Sequence, residues 1–304
     1  LVEELEHVLA AEEEADRRLK TCRFMEEASR RLKLPQVAKA TAMVFFHRFY
    51  AKHSFQEHDR FEVAVASLVL AAKVEESPKK LDKVILECVN LKNSSSQSGR
   101  LSAQQHQKGG SKSPSPISPH SSSVPSSNAD GGIDPKGEEF AKLKERILLL
   151  ERIHLHTIGF DLFIEHPYKF IVEHVKALTI GRKVTYKPNS TAFATTKNLS
   201  STQLVSKMGN DMMQYSVNFA NDALYTSLCL QFGPQSIATA CLFMACYFTD
   251  IQPINGPDDW MELLGHPNLE ILVSICDQLL DSLDRKKGGH VDRPSNLRTM
   301  LEER

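Results

Sequence analysis

Apolar positions recur along most of this chain at three- and four-residue steps, the spacing of helices with a buried face, and almost nowhere at steps of two. The densest stretch is Phe61 to Glu76, FEVAVASLVLAAKVEE, where ten consecutive residues, Val63 to Ala72, carry no charge. The run is too short to cross a bilayer and too apolar all round for a surface helix. It predicts a helix buried at the centre of a helical domain. Its end changes character at once, with Lys73, Glu75 and Glu76 after the uncharged run. A buried helix with a charged end can present a binding site.

The rest of the pattern predicts helices around it. Leu19, Cys22, Met25, Ala28 and Leu32 form one stripe over roughly 16–33, with the acidic block Glu12 to Glu14 as a solvated face or helix start. Pro35 opens a helix over about 36–52, whose dense side is marked by Val37, Thr41, Val44, Phe45, Arg48 and Phe49. Asp59 and Glu62 resemble a capping box, with Asp in place of Ser or Thr, and Pro78 closes the central helix. A short helix follows over Lys80 to Val89. Phe140, Leu143, Ile147, Leu150, His154 and Ile158 share a face of the next, which Gly159 ends as a left-handed cap. Further helices are expected over Tyr168–Leu178, Lys207–Leu230, Pro234–Thr249, Trp260–Leu264 and Asn268–Lys287. The fold class is all-α.

Two stretches break the pattern. Residues 91–135 hold Ser-Ser-Ser twice, five prolines and no aromatic residue, and read as a disordered insertion. Residues 181–206 are rich in Ser and Thr, carry Arg182, Lys183, Lys187 and Lys197, and lack acidic residues; they read as a flexible loop with a positive bias. The chain also matches itself at an offset of 174 positions. Phe45 meets Phe219, Ala64 meets Ala238, Ala66 meets Ala240, Leu68 meets Leu242 and Ala71 meets Ala245. Two similar helical domains follow, each with a central helix wrapped by its neighbours. Only the first central helix ends in charge: Tyr247 stands where the first copy has Lys73.

Composition narrows the function classes. With 304 residues there is room for two domains, and a formal net charge of −1 gives no support to whole-protein binding of nucleic acid or anionic membrane. No membrane span is expected. Glu3, Glu4 and Glu6 stand where a secretory leader would be basic and then apolar, so none is expected at this end, and the initial Leu suits a trimmed fragment. The six cysteines include no C-x-x-C pair and read as reduced core residues of an intracellular protein. No metal site is expected, because no Cys/His pair has finger-like spacing with a matching second pair. Phosphate-binding, dinucleotide-binding, nucleophile-elbow and H-E-x-x-H motifs are absent, and no nucleophile stands beside a base. The chain reads as a protein that binds, without cofactor or catalytic residues.

The residues then become specific. HRFY, LAAKVEE and PKKLDKVI together resemble the first cyclin box of the cyclins. ERIHLHTIGFDLFIEHPYKFIVEHV resembles the end of that box and the linker of the transcription-associated cyclins of the cyclin-T and cyclin-K type. NFANDALYTSLCLQF is similar to their second box. The resemblance covers about 20–90, 138–178 and 207–287. It implies two tandem five-helix cyclin boxes with an N-terminal helix: an arm over 1–34, a first box over 35–165 with the insertion taken to 136, a linker helix and second box over 166–290, and a tail over 291–304. It implies no catalytic activity and a cyclin-dependent kinase as heterodimeric partner, one acting in the nucleus on the C-terminal repeats of RNA polymerase II. It further implies that the first box docks on the kinase's mobile C-helix and sets its ATP-holding Lys–Glu pair.

Four kinase-binding positions carry over. Lys73 matches the family lysine that anchors kinase backbone near the C-helix, and Glu151 the glutamate beside it. Glu76 lies a turn after Lys73, and Phe160 matches an aromatic that packs on the kinase. Read from the residues alone, Lys73 is an ordinary solvated lysine, Glu151 the solvent side of its helix and Phe160 a core residue. Ser113, Ser115 and Ser118, each before a proline, are candidate phosphorylation sites for proline-directed kinases, or parts of a Ser/Pro-rich spacer. The helix 36–52 reads MVFFHRF where cell-cycle cyclins carry a hydrophobic docking patch, so recruitment of Arg-x-Leu substrates is not expected. The competing readings are a cyclin-box scaffold that contacts nucleic acid through 181–206, and a cell-cycle or metabolic cyclin.

Overall fold

The computed structural model describes residues 2–105, 133–255 without 189 and 197, and 260–287. The first helix, α1 (Val2–Arg31), buries the expected stripe of Leu19, Cys22, Met25 and Ala28, with Leu32 just past its end. It begins well before residue 16. The reason lies in the acidic block, which stands one turn before the arginines it pairs with: Glu13 takes Arg17 at 2.6 Å and Glu14 takes Arg18 at 2.6 Å. Such i,i+4 pairs support a helix rather than mark its start.

Around α3 (Arg60–Val74) pack α1, α2 (Gln36–Phe49), α4 (Leu81–Gln105) and α5 (Glu138–Thr157). Every residue from Val63 to Ala72 is buried, because helices approach α3 from all sides and its alanines let their backbones come close. Asp59 caps α3, accepting from the backbone N–H groups of Phe61 at 3.0 Å and Glu62 at 3.1 Å. The reciprocal half of the capping box is replaced: the Glu62 carboxylate takes Arg146 of α5 at 2.8 Å. Replacing Asp59 by Ala is expected to cost about 1 kcal/mol, read as a lower denaturant midpoint at unchanged slope. The dense side of α2 is broader than one stripe. Ala38 and Ala40 to His47 are all buried, whereas Val37, one residue into the helix and ahead of the packed region, is 41% exposed.

A second core forms around α10 (Pro234–Phe248), which packs against α6 (Tyr168–Ile180), α8 (Ser201–Ala223) and α12 (Leu269–Lys287). Both members of each pair at the 174-residue offset, from Phe45 with Phe219 to Ala71 with Ala245, are buried, so the internal match is a match of core positions. Among the described residues the fold is all-α but for one small sheet.

That sheet corrects the reading of 181–206 as a flexible loop. β1 (Val184–Tyr186) pairs antiparallel with β2 (Ile251–Pro253), placing Val184 opposite Pro253 and Tyr186 opposite Ile251. Val184, Tyr186 and Ile251 turn into the second core, and three-residue strands are too short to show a period. The short α7 (Thr191–Ala194) follows, and Ser200 and Gln203 form a full capping box that starts α8 earlier than expected. Likewise α4 runs on to Gln105, into residues assigned to the disordered insertion: its apolar face carries through Val89 and Leu91 before the Ser-rich composition begins. Ser113, Ser115 and Ser118 lie outside the described residues. The remaining short helices are α9 (Leu228–Gln231) and α11 (Trp260–Leu263).

The segment that follows α8 packs into the first core, and α1 helps to tie the two halves of the chain. Arg18 is buried and donates to the Tyr50 carbonyl at 3.0 Å and to His47 Nδ1 at 3.1 Å; His47 Nε2 in turn donates to the Leu224 carbonyl at 2.9 Å. The Tyr225 hydroxyl binds Glu26, and Arg23 donates to the Lys286 carbonyl at 3.1 Å.

Candidate functional site

The last turn of α3 and the middle of α5 meet at the surface. The Lys73 Nζ lies 2.6 Å from the Glu151 Oε1, with the lysine side chain 54% exposed and the glutamate side chain 11%. Glu151 is therefore not on the solvent side of its helix. It follows Leu150 on the stripe of Phe140, Leu143, Ile147 and His154 that faces α3, and the lysine reaching over its carboxylate makes that burial tolerable.

Glu76 is exposed and sits past the helix rather than on a further turn of it. α3 ends in a paired closure, Glu76 N–H to the Lys73 carbonyl at 3.3 Å and Ser77 N–H to the Ala72 carbonyl at 2.9 Å. Glu76 takes the left-handed place, φ +50°, that glycine usually fills. Its neighbour Glu75 points inward instead: the Thr41 hydroxyl donates to it at 2.7 Å and accepts from His166 Nε2 at 2.9 Å. That hydroxyl bridge joins α2, the end of α3 and the segment before α6. It went unseen in the sequence because its members lie 34 and 125 residues apart.

α5 ends with the same closure, Phe160 N–H reaching the Leu155 carbonyl at 2.9 Å, with Gly159 at φ +64° as expected and Phe160 itself at φ +59°. The Phe160 ring is 60% exposed and touches only the His156 imidazole edge-on among ring contacts, which rules out a core role. Glu151 lies six residues before the end of α5, about 9 Å along the axis, so Phe160 stands apart from the Lys73–Glu151 pair on the same helix. Leu148 and Leu149, off the buried stripe, add exposed apolar surface to α5. Sequence reasoning placed four residues here. The structure joins two of them, sets Glu76 just beyond the end of α3, and puts Phe160 past the end of α5.

Elsewhere two histidines are buried and structural. His154 is buried, donates from Nε2 to the Phe45 carbonyl at 3.0 Å, and leaves Nδ1 without a partner; burial pushes it down to about 4. Burial, with Arg18 beside it, pushes His47 down to about 3. The cysteines are free and buried but for half-buried Cys229, and burial pushes the Cys88 thiol up to about 12. No helix among the described residues is long and apolar enough to cross a membrane.

Residues 4–107 match the family model of the cyclin N-terminal domain. A rice protein, Cyclin-T1-3, is 32% identical over 270 residues, covering 88% of this chain and 42% of its own length. Zebrafish Cyclin-K is 30% identical over 281 residues, covering 90% of this chain and 51% of its own. The chain belongs to the cyclin family. The transcription-associated T and K types named from the sequence are those its relatives carry. This cyclin spans about half or less of those relatives' lengths. Its fold is also that of a chain in the yeast RNA Pol II CTD kinase CTDK-1 complex, with a TM-score of 0.56 at 17% identity, over 93% of this cyclin and 72% of that chain.

Proposed function

We propose that this cyclin is the regulatory subunit of a cyclin-dependent kinase that phosphorylates the C-terminal repeats of RNA polymerase II, and that it works in the nucleus without catalytic groups of its own. The observation that carries the reading is the Lys73–Glu151 pair, held where α3 meets α5, with Phe160 exposed beyond α5. A charged pair that is half out of water gains directional strength when a partner removes the remaining water, and exposed apolar side chains supply area. The yeast CTD kinase complex that shares the fold, and relatives of the T and K types, support the choice of kinase class.

On this reading Lys73 and Glu76 meet backbone and polar groups of the kinase, Glu151 holds Lys73 in place, and Phe160 packs against the kinase surface. The cyclin then pushes the kinase C-helix inward and completes the Lys–Glu pair that holds ATP phosphates. ATP and its metal belong to the kinase. Co-expression with kinases of this class is expected to yield a one-to-one heterodimer with raised activity on a repeat peptide. A chain that elutes alone from every such kinase would overturn the proposal, and salt-dependent DNA binding by that free chain would favour a nucleic-acid scaffold instead.

A further inference from the structure

The loop between α2 and α3 brings together three side chains that the kinase-docking face does not use. One donor atom each of His53, Glu57 and His58 lies within 4.8 Å of the other two. We propose that these residues form a three-ligand site for a divalent transition-metal ion of the zinc class, with water completing the coordination. Two imidazoles and one carboxylate are a donor set suited to zinc, cobalt and nickel.

The imidazole of His53 is prepared for this role by its outer contact. The Thr157 hydroxyl has one proton, which it donates to the Ile153 carbonyl at 2.8 Å. Toward His53 Nε2, 2.9 Å away, it can therefore only accept. The proton of neutral His53 is thus on Nε2, and the lone pair is on Nδ1. A hydrogen bond from the outer nitrogen to a protein acceptor is the arrangement that orients a ligating histidine. The two rings are also positioned by aromatic contacts: His53 stacks on Phe49 at 4.5 Å, His58 meets Phe49 edge-on at 5.2 Å, and the two imidazoles are 5.1 Å apart and nearly perpendicular.

The backbone beneath is fixed too. The Tyr50 hydroxyl donates to the His58 carbonyl at 2.9 Å, and the next residue, Asp59, caps α3. Glu57 is exposed and makes no ion pair or side-chain hydrogen bond among the described residues, and neither does the His58 ring, so both have donor capacity to give. An ion about 2.0–2.1 Å from each ligand holds tetrahedral donors roughly 3.4 Å apart, a contraction that small side-chain rotations in a ten-residue loop can supply. The ion would link the two ends of this loop, and through Thr157 the end of α5, next to Phe160.

The test uses the intact chain and Co²⁺ as a visible probe, then Zn²⁺ in competition. One equivalent of Co²⁺ is expected to give ligand-field bands that Zn²⁺ abolishes, and Zn²⁺ is expected to raise the melting temperature. Glu57→Gln, on the surface, and His58→Ala should each weaken Zn²⁺ binding by at least about tenfold. Thr157→Val should weaken it by roughly 10- to 100-fold with the ligands intact, provided circular dichroism shows the fold retained. If the Glu57→Gln, His58→Ala double variant keeps the same bands and affinity, the metal sits on other histidines and the proposal falls. Binding to the intact chain only at millimolar metal overturns it as well.

Discussion

Replacing Lys73 by Glu is expected to weaken kinase binding by two to three orders of magnitude while leaving the cyclin folded. The two effects separate because the pair lives in different surroundings before and after docking. In the free cyclin the lysine is half exposed, so water screens it and can also reach the carboxylate it leaves behind; its loss lowers the melting temperature, because Glu151 is nearly buried, without unfolding the chain. In the proposed complex the same groups lose their water. A carboxylate at position 73 would then face Glu151 with no compensating charge, and losing one member of a desolvated pair costs roughly 2–5 kcal/mol. Calorimetric titration with the kinase and thermal melting of the free cyclin read the two quantities independently. The swapped variant Lys73→Glu, Glu151→Lys should recover the melting temperature and not the affinity, since the lysine's reach to the kinase is lost. Undiminished kinase pull-down by Lys73→Glu would remove Lys73 from the interface.

Acid should destabilise the chain well before its carboxylates titrate. Burial, with Arg18 nearby, holds His47 at about 3, and burial holds His154 at about 4, against an ordinary unfolded imidazole near 6.5. The unfolded chain therefore binds protons that the folded chain refuses. Stability from these groups is complete above about pH 6.5 and falls as pH drops toward 4 and then 3. Each histidine removes about 1.4 kcal/mol per pH unit in that window, so the pair removes roughly 4 kcal/mol by pH 5. Denaturant midpoints at pH 7, 6 and 5 measure the slope, and His154→Gln should approximately halve it. A flat profile would mean that water reaches both rings.

What the sequence disclosed was decided within single helices. The uncharged run of α3 had to be buried all round, its twin at α10 likewise, and the stripe of α5 pointed His154 inward, though it left Glu151 on the solvent side. Features that depend on two distant segments were hidden. The β1–β2 pairing joins segments that lie in the chain on either side of α8 and α10, and three residues leave no pattern. The Thr41–Glu75–His166 bridge needs three segments to converge. The α4 extension failed for another reason: Ser and Asn are poor but permitted helix residues, and a helix already nucleated by Val84, Ile85 and Cys88 can run through them. The grouping of His53, Glu57 and His58 arises from the path of a loop, which no regular spacing along the sequence reflects.

The left-handed positions at the ends of α3 and α5 bear on the trade between stability and use. Glycine serves that conformation freely, as at Gly159 and Gly265, whereas a residue with a β-carbon costs about 1 kcal/mol or more there. Glu76 and Phe160 accept that strain, and each leaves its side chain exposed just past the end of its helix. A version of this chain optimised for folding alone would carry glycine at both. It would melt higher, and it would offer a partner a smoother and less distinctive surface.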